Sequence, residues 1–348
     1  MFGRYRLAYA TLFGLAGCVF LIAAEVGRFP LSRYFAINPR GAMLPIWILP
    51  PLLWLGWVAV TLTRRRTPSP ARTLWRTIRR HRAWLLRGVL LIFLTLPLGR
   101  SLGAVKDAIP RIVPFYADSF LIEIDRLMFF GIDPWRITHA VLGPAATVVI
   151  DRLYVLWFFM LMAMIAWMAF TRDRKLQIKG LLAINLSWAL LGNALAIALA
   201  SVGPCFVQGF YGRADFAPLM DRLHTIAETH TLRALWAMDY LQRVQGNSAV
   251  GGGISAMPSL HVGMAFLLWL ICREHVRSQW IRRLVAAYAG AIYLGSVHLG
   301  WHYASDGLVS IAGVWLIWRA VGRFVDWVEA REPRQHGPTG PATVPISA

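Results

Sequence analysis

Charge is scarce in this sequence. Of 348 residues only 15% are Asp, Glu, Lys or Arg, against about 25% in a soluble domain. With 57% hydrophobic residues and a mean hydropathy of +0.52, this excludes an ordinary soluble fold and disorder over most of the length. Cysteine is scarcer still. Cys18, Cys205 and Cys272 stand far apart, so neither a disulfide scaffold nor a zinc-thiolate site is expected. Acids are few, 17 against 36 Lys and Arg, for a formal net charge of +19. On a soluble protein that balance points to nucleic acid. Here the apolar stretches leave little soluble domain to hold it, and no nucleic-acid partner is expected. Basic loops that orient helices and meet anionic lipid account for the excess. Aromatic rings are plentiful, with 16 Trp, 18 Phe and 10 Tyr, and such rings collect at membrane–water boundaries. The class implied is an all-α, polytopic membrane helical bundle.

A spanning helix needs about 20 mostly apolar residues. Eight stretches qualify: 7–26, 42–63, 84–105, 148–170, 180–203, 256–272, 284–301 and 303–321. Arg87 and Pro97 interrupt the third, and Asp151 and Arg152 sit near the start of the fourth. The run Leu15-Ala16-Gly17-Cys18, following Arg4 and Arg6, has the form of a lipoprotein cleavage box that would make Cys18 a lipidation site. The apolar run continues through Ala24, so an uncleaved helix is expected.

Loop charge alternates. The segment 64–82 carries eight arginines, Arg64 to Arg82, and no acid; 171–179 and 273–283 are also basic. By the positive-inside rule these loops face the cytoplasm, with both termini. The loops 106–147 and 204–254 balance their charges and face outward. The expected organisation is two N-terminal transmembrane helices (1–63), a basic cytoplasmic loop (64–83), a six-helix membrane domain (84–321), and a cytoplasmic, largely disordered tail (322–348). Residues 64–82 suit an amphipathic surface helix whose start Pro68 and Pro70 weaken. The stretch from Asp118 to Gly131 suits a short helix lying flat at the outer face.

Two places combine reactive side chains with the outer ends of these stretches. In Gly251-Gly-Gly-Ile-Ser255-Ala-Met-Pro258-Ser259-Leu260-His261, Pro258 suits a first helical turn. Ser259 and His261 then fall where free backbone N–H groups and the helix dipole favour an anion such as phosphate. The alternative is a helix cap with an incidental histidine. In Ser296-Val-His298-Leu-Gly-Trp301-His302-Tyr-Ala-Ser-Asp306, His302 and Asp306 share a face if helical, and the carboxylate can orient the imidazole. His298, His302 and Asp306 at i, i+4 and i+8, with His261, also allow a zinc reading. On one straight helix those three span about 12 Å, too far for tetrahedral ligation, so no metal is expected.

Pro258-Ser259-Leu260-His261 followed by His302-Tyr-Ala-Ser-Asp306 resembles the second and third signature motifs of the type 2 phosphatidic acid phosphatase superfamily, Pro-Ser-Gly-His and Ser-Arg-x5-His-x3-Asp. Leu before the histidine, His-Tyr in the third motif, and the run Asp118…Asp125-Arg126-Leu127…Gly131-Ile-Asp-Pro134 are similar to the inositol phosphorylceramide synthase branch. The resemblance covers roughly residues 100–320 and implies a six-helix lipid-phosphatase-like core. It implies that His302 attacks phosphorus to give a phosphohistidine, that Asp306 orients it, and that His261 serves as acid and then base. It also implies that Ser259 and nearby N–H groups hold phosphate oxygens, with no metal or other cofactor. The third-motif arginine is absent; Ser296 stands six residues before His302. The first motif, Lys-x6-Arg-Pro, is absent from 180–215. Lys106, Arg111, Arg213, Arg243 and His298 are the outer-facing candidates to replace that charge, Arg213 the favoured one; His298 is read as a helix-packing or headgroup-contacting residue.

The expected protein is an integral-membrane lipid phosphotransferase at a bacterial inner membrane, active on the extracytoplasmic side. It moves a phospho-headgroup from a phospholipid donor to a lipid hydroxyl of ceramide or diacylglycerol type. The alternatives are a lipid-phosphate or polyprenyl-phosphate phosphatase and a non-catalytic lipid-phosphate binder or transporter.

Overall fold

The structure, a computed structural model, describes residues 5–27, 44–246 and 252–332. Gly251 and the tail beyond Glu332 lie outside the described residues. Among those described there are fourteen α-helices and no strand. In chain order they are α1 (Arg6–Gly27), α2 (Leu44–Arg64), α3 (Pro70–Ile112), α4 (Asp118–Met128), α5 (Pro134–Val141), α6 (Pro144–Phe170), α7 (Arg174–Ser187), α8 (Ala196–Ala198), α9 (Val207–Tyr211), α10 (Ala217–Thr229), α11 (Arg233–Val244), α12 (Leu260–His275), α13 (Gln279–His298) and α14 (Ala304–Arg331). A π-helical segment, Trp188–Leu195, joins α7 to α8. Among the described residues four stretches are long and apolar enough to cross a membrane: Arg6–Gly27, Pro144–Phe170, Arg174–Ala198 and Ala304–Arg331.

Sequence punctuation explains the boundaries. Pro70, Pro134 and Pro144 occupy the first helical turns of α3, α5 and α6, where a missing N–H costs nothing. Asp173 and Ser278 cap α7 and α13 by accepting from Leu176 N (3.0 Å) and Ile281 N (3.4 Å). Gly131, at φ +87°, closes the turn after α4. One expectation changes: residues 70–82 are not a separate surface helix. They continue into the third apolar stretch as the 43-residue α3, about 64 Å long by helical rise. Pro70 begins that helix rather than weakening it, and no break marks the expected boundary at 83.

The main interior cluster draws on α1, α6, α7, α12, α13 and α14, and a small second one joins Ile109, Ala196 and Ala200. α12 is enclosed along its length, burying Val262, Met264, Ala265, Leu267 and Ile271. In lipid, apolar surface gains little by leaving the solvent, so close helix packing and satisfied polar groups carry the assembly. The outer connections supply the second part. Asp151 near the start of α6 accepts from Arg233 N (3.0 Å) and Ala234 N (2.8 Å), the free N–H groups of α11.

Candidate active site

The site forms where α12 and α14 begin. Ser259 is the N-cap of α12 and accepts from Val262 N (3.4 Å). Pro258 therefore precedes the helix rather than lying in its first turn, and Ser259 is committed to capping. His261 follows in the first turn. Its ring stacks on Tyr154 at 4.7 Å and lies 4.1 Å from the Trp157 ring, both on α6. Trp157 Nε1 donates to His261 O (2.9 Å).

His302 is not on a helix. α13 ends at His298, Gly300 turns the chain at φ +74°, and α14 starts at Ala304. His302 and Asp306 still meet, because Asp306 in the first turn of α14 reaches back. Its Oδ2 accepts from Tyr303 N (3.1 Å) and from His302 Nδ1 (3.2 Å). His302 Nδ1 is also 2.8 Å from Ala256 O. A carbonyl oxygen has no proton to give, so Nδ1 carries the hydrogen and Nε2 keeps its lone pair in the neutral ring. The His261 and His302 rings are 6.0 Å apart. The same turn breaks the helix assumed in the zinc reading. Among the described residues no group of three His, Cys, Asp or Glu is placed to hold a metal ion.

Two carboxylates on α4 hold this turn. Asp125 accepts from Ala304 N (2.6 Å) and Ser305 N (2.9 Å), the free N–H groups at the start of α14. Burial pushes its carboxyl above the usual range, and those two bonds pull it back. Asp118 accepts from Val202 N (2.9 Å), Gly203 N (2.9 Å), Tyr211 Oη (2.7 Å) and Tyr303 Oη (2.8 Å). Burial, with the Asp118 charge beside it, drives the Tyr303 hydroxyl far up. Gly203 stands at φ +93°, and a Cβ there would lie 2.8 Å from Trp301 O. Glycine thus lets the 202–204 loop lie against the histidine turn. Sequence reasoning read Asp118 as a helix start and both aspartates as part of the branch-like run, but gave neither this role, since their partners are backbone groups far along the chain.

The cations separate. Arg213 is engaged by the outer loop and α4: Nε bonds Asp215 Oδ2 (2.9 Å) and Nη1 bonds Ser119 Oγ (2.6 Å). The Asp215 partner raises the guanidinium further and is itself held below the usual carboxylate range. His298 is fully buried, its Nδ1 on Thr138 Oγ1 and its Nε2 on Thr147 Oγ1, both at 2.9 Å. Its ring stacks on His139 at 3.7 Å. Both nitrogens are engaged inside the protein, so His298 is a packing residue rather than a headgroup contact. Lys106, at the far end of α3, does reach the site. Its Nζ donates to Ser255 O (3.2 Å), within electrostatic reach of His261 and Asp306. Gly253, at φ +89°, makes this possible, since a Cβ there would meet Lys106 Cβ at 2.6 Å. Tyr154 Oη, Ser255 Oγ, Trp301 Nε1 and Asp306 Oδ1 are buried in this region without a hydrogen-bond partner.

These residues make a histidine site with one ring oriented by a carboxylate and a second opposite it. A family model described as the PAP2 superfamily matches residues 119–320, more than half of the chain, and the chain belongs to that superfamily. Membership supports phosphatase-type or phosphotransferase chemistry on phosphoesters. α1 to α3, with Lys106, lie outside the match. No curated protein and no solved structure matches the chain.

Proposed function

We propose that the protein is a lipid phosphotransferase that moves a phospho-headgroup from a phospholipid to a lipid hydroxyl. The observation that carries this reading is the bond from His302 Nδ1 to Ala256 O, which leaves Nε2 free as a nucleophile. Nε2 attacks phosphorus as the bond to the departing lipid oxygen breaks, and His261 gives that oxygen its proton. The acceptor hydroxyl then yields its proton to His261 and attacks phosphorus, and the P–N bond breaks. Asp306 stabilises the cationic ring while the phosphoryl group is attached. Lys106 and the N–H groups at the start of α12 face the developing charge on phosphoryl oxygens. This mechanism uses no metal or other cofactor.

Charge matching favours a diester donor. Lys106 is the cation within electrostatic reach of both His261 and Asp306, while Arg213 is paired with Asp215. A single cation suits a phosphodiester with one negative charge better than a monoester dianion. The inositol phosphorylceramide synthase-like motifs support the same direction. Eight spanning helices, six of them forming the catalytic domain of residues 84–321, with the histidines on the extracytoplasmic side of a bacterial inner membrane, complete the reading. The test supplies purified protein with a mixed phospholipid extract, with and without ceramide or diacylglycerol. Lipid products are read by mass spectrometry and free phosphate by colorimetry, against His302→Ala. A new headgroup-bearing lipid without matching phosphate is expected. Phosphate alone, lost in the variant, would move the protein to hydrolysis. Products unchanged by the substitution would refute the histidine mechanism.

A further inference from the structure

Two aromatic side chains join the histidines through a chain of ring contacts. Tyr154 of α6 is 7% exposed, and its ring stacks on the His261 ring at 4.7 Å. It also runs parallel to the Trp301 ring, 6.5 Å away at an interplanar angle of 2°. Trp301 directly precedes His302. Gly295 of α13 lets α6 come this close, since a Cβ there would lie 2.9 Å from Ile150 Cγ2 and 3.4 Å from Tyr154 Cδ2. The third aromatic ring of the group, Trp157, packs on His261 at 4.1 Å, and its Nε1 is closed by His261 O (2.9 Å). Tyr154 Oη and Trp301 Nε1 are buried as well, but among the described residues neither has a hydrogen-bond partner.

A buried donor without an acceptor costs free energy, and native folds rarely leave one so. The indole N–H can only donate, and the phenol hydroxyl donates once. Packing alone needs neither group, because the rings would stack equally well without them. Both stand beside the histidine pair, where a substrate phosphate would lie. A phosphodiester brings two non-bridging oxygens that share one negative charge. The motif arginines that would meet those oxygens are absent from this sequence. Asp306 does not compete for the place, since it holds His302 through Nδ1, on the opposite edge of the ring from Nε2. We propose that Tyr154 Oη and Trp301 Nε1 donate to the non-bridging oxygens of a lipid phosphodiester, doing by neutral hydrogen bonds what the absent arginines would do by charge. This assignment rests on the phosphoester reading of the site and adds its specificity. Neutral donors add no positive charge to that of Lys106, so the pair favours a monoanionic diester over a dianionic monoester.

The test uses the full chain carrying His302→Ala, so that no lipid is consumed, in a neutral, phosphate-free detergent. Thermal unfolding is followed against dioleoylphosphatidylglycerol, dioleoylphosphatidic acid or dioleoylglycerol. Phosphatidylglycerol is expected to raise the unfolding temperature. Adding Tyr154→Phe, which keeps the ring on His261, should raise the concentration needed for half that effect by at least about fivefold. The unfolding temperature without lipid and the response to dioleoylglycerol, which has no phosphate, should stay as they were; a packing role would move both. An unchanged phosphatidylglycerol response in Tyr154→Phe, or no response in either protein, overturns the proposal. An equal or tighter response to phosphatidic acid overturns the diester preference. Should Tyr154→Phe fail to fold, Trp301→Phe decides by the same comparison: a weakened phosphatidylglycerol response supports the assignment and an unchanged one rejects it. The wild-type reaction separates this inference from the proposed function. Headgroup transfer undiminished by Tyr154→Phe would overturn the two donors and leave the transferase standing. A weakened lipid response in a protein that forms no transfer product would do the reverse.

Discussion

At the histidine end of the bundle, Asp118, Asp125 and Asp151 are each at most 4% exposed, and each is met by two backbone N–H groups. At the other end Arg87 is as deeply placed and meets no carboxylate. Asp118 meets N–H groups of the loop before Pro204; for Asp125 and Asp151 the difference follows from what a helix start offers. Its first N–H groups lack partners within the helix and carry partial positive charge, so a buried acid completes a structure that needs it. A buried arginine has five donors to satisfy and finds no such fixture beside it. Anions at one end thus hold the fold and the histidines together. At the other end the Arg87 Nε stays buried without a hydrogen-bond partner.

The largest effect is expected at the histidine end, where the groups are placed for chemistry. His302→Ala should lower turnover by at least about 10⁴-fold, and His261→Ala by about 10²–10⁴-fold. Arg87→Met should change turnover little in the same assay of lipid product. Equal losses at the two ends would erase the contrast between groups placed for chemistry and a buried charge remote from them.

Asp125→Asn sharpens the comparison within the histidine end. The amide keeps one acceptor for Ala304 N or Ser305 N and turns an N–H against the other. The lost bond and the stranded donor should cost about 1–3 kcal/mol of stability. The histidine turn would lose its anchor, and a small displacement there lowers kcat by about 10–100-fold with KM nearly unchanged. Asp239→Asn is the control, since Asp239 is exposed and pairs only locally with Arg243. Equal kinetics for the two variants would show that Asp125 does not position His302 and Asp306.

The fold was legible wherever the signal was local. Long apolar runs located the helices, while the prolines misled: Pro70 begins a helix that it was expected to weaken, and Pro258 precedes the helix it was expected to open. The approach of His302 to Asp306 was visible from their spacing, although the geometry is a turn reaching forward to a helix rather than one helical face. What stayed hidden depends on partners far along the chain. His298 looked available at the edge of an apolar run. Thr138, Thr147 and His139, which enclose it, are some 150 residues earlier. Counting basic residues could not separate Lys106 from Arg213. Asp215, two residues after Arg213, was the available hint that its charge was already spoken for. Lys106 needed the close approach of Gly253, which only the folded chain displays.

The histidine pair allows a pH test. His139 lies on α5, and burial holds its imidazole below the usual range. The unfolded chain takes up a proton near pH 6.5 while the folded chain resists it. Stability from this group is therefore complete above that pH and falls as pH drops through the window below it. Unfolding temperature measured from pH 7.5 to 5 should decline less steeply in His139→Phe than in the wild type. Parallel curves would mean that the pair does not contribute to acid sensitivity.

The smallest effect belongs to Arg213, and it separates charge that is near the site from charge that acts in it. Its guanidinium bonds Asp215 and Ser119 and is partly open to solvent. Such a pair contributes about 0.2–1 kcal/mol because water screens it and both side chains lose freedom. Arg213→Gln should therefore unfold slightly earlier, with turnover within about twofold of wild type, a change of about 0.4 kcal/mol in barrier. Lys106→Met, by contrast, removes the cation that reaches His261 and Asp306. Its loss should be at least about tenfold, because a donor facing developing charge is missed most in the transition state. If Arg213→Gln proves the more damaging of the two, the outer loop must close on the substrate and bring Arg213 to the phosphate. The division between structural and reacting charge at the histidine end would then have to be redrawn.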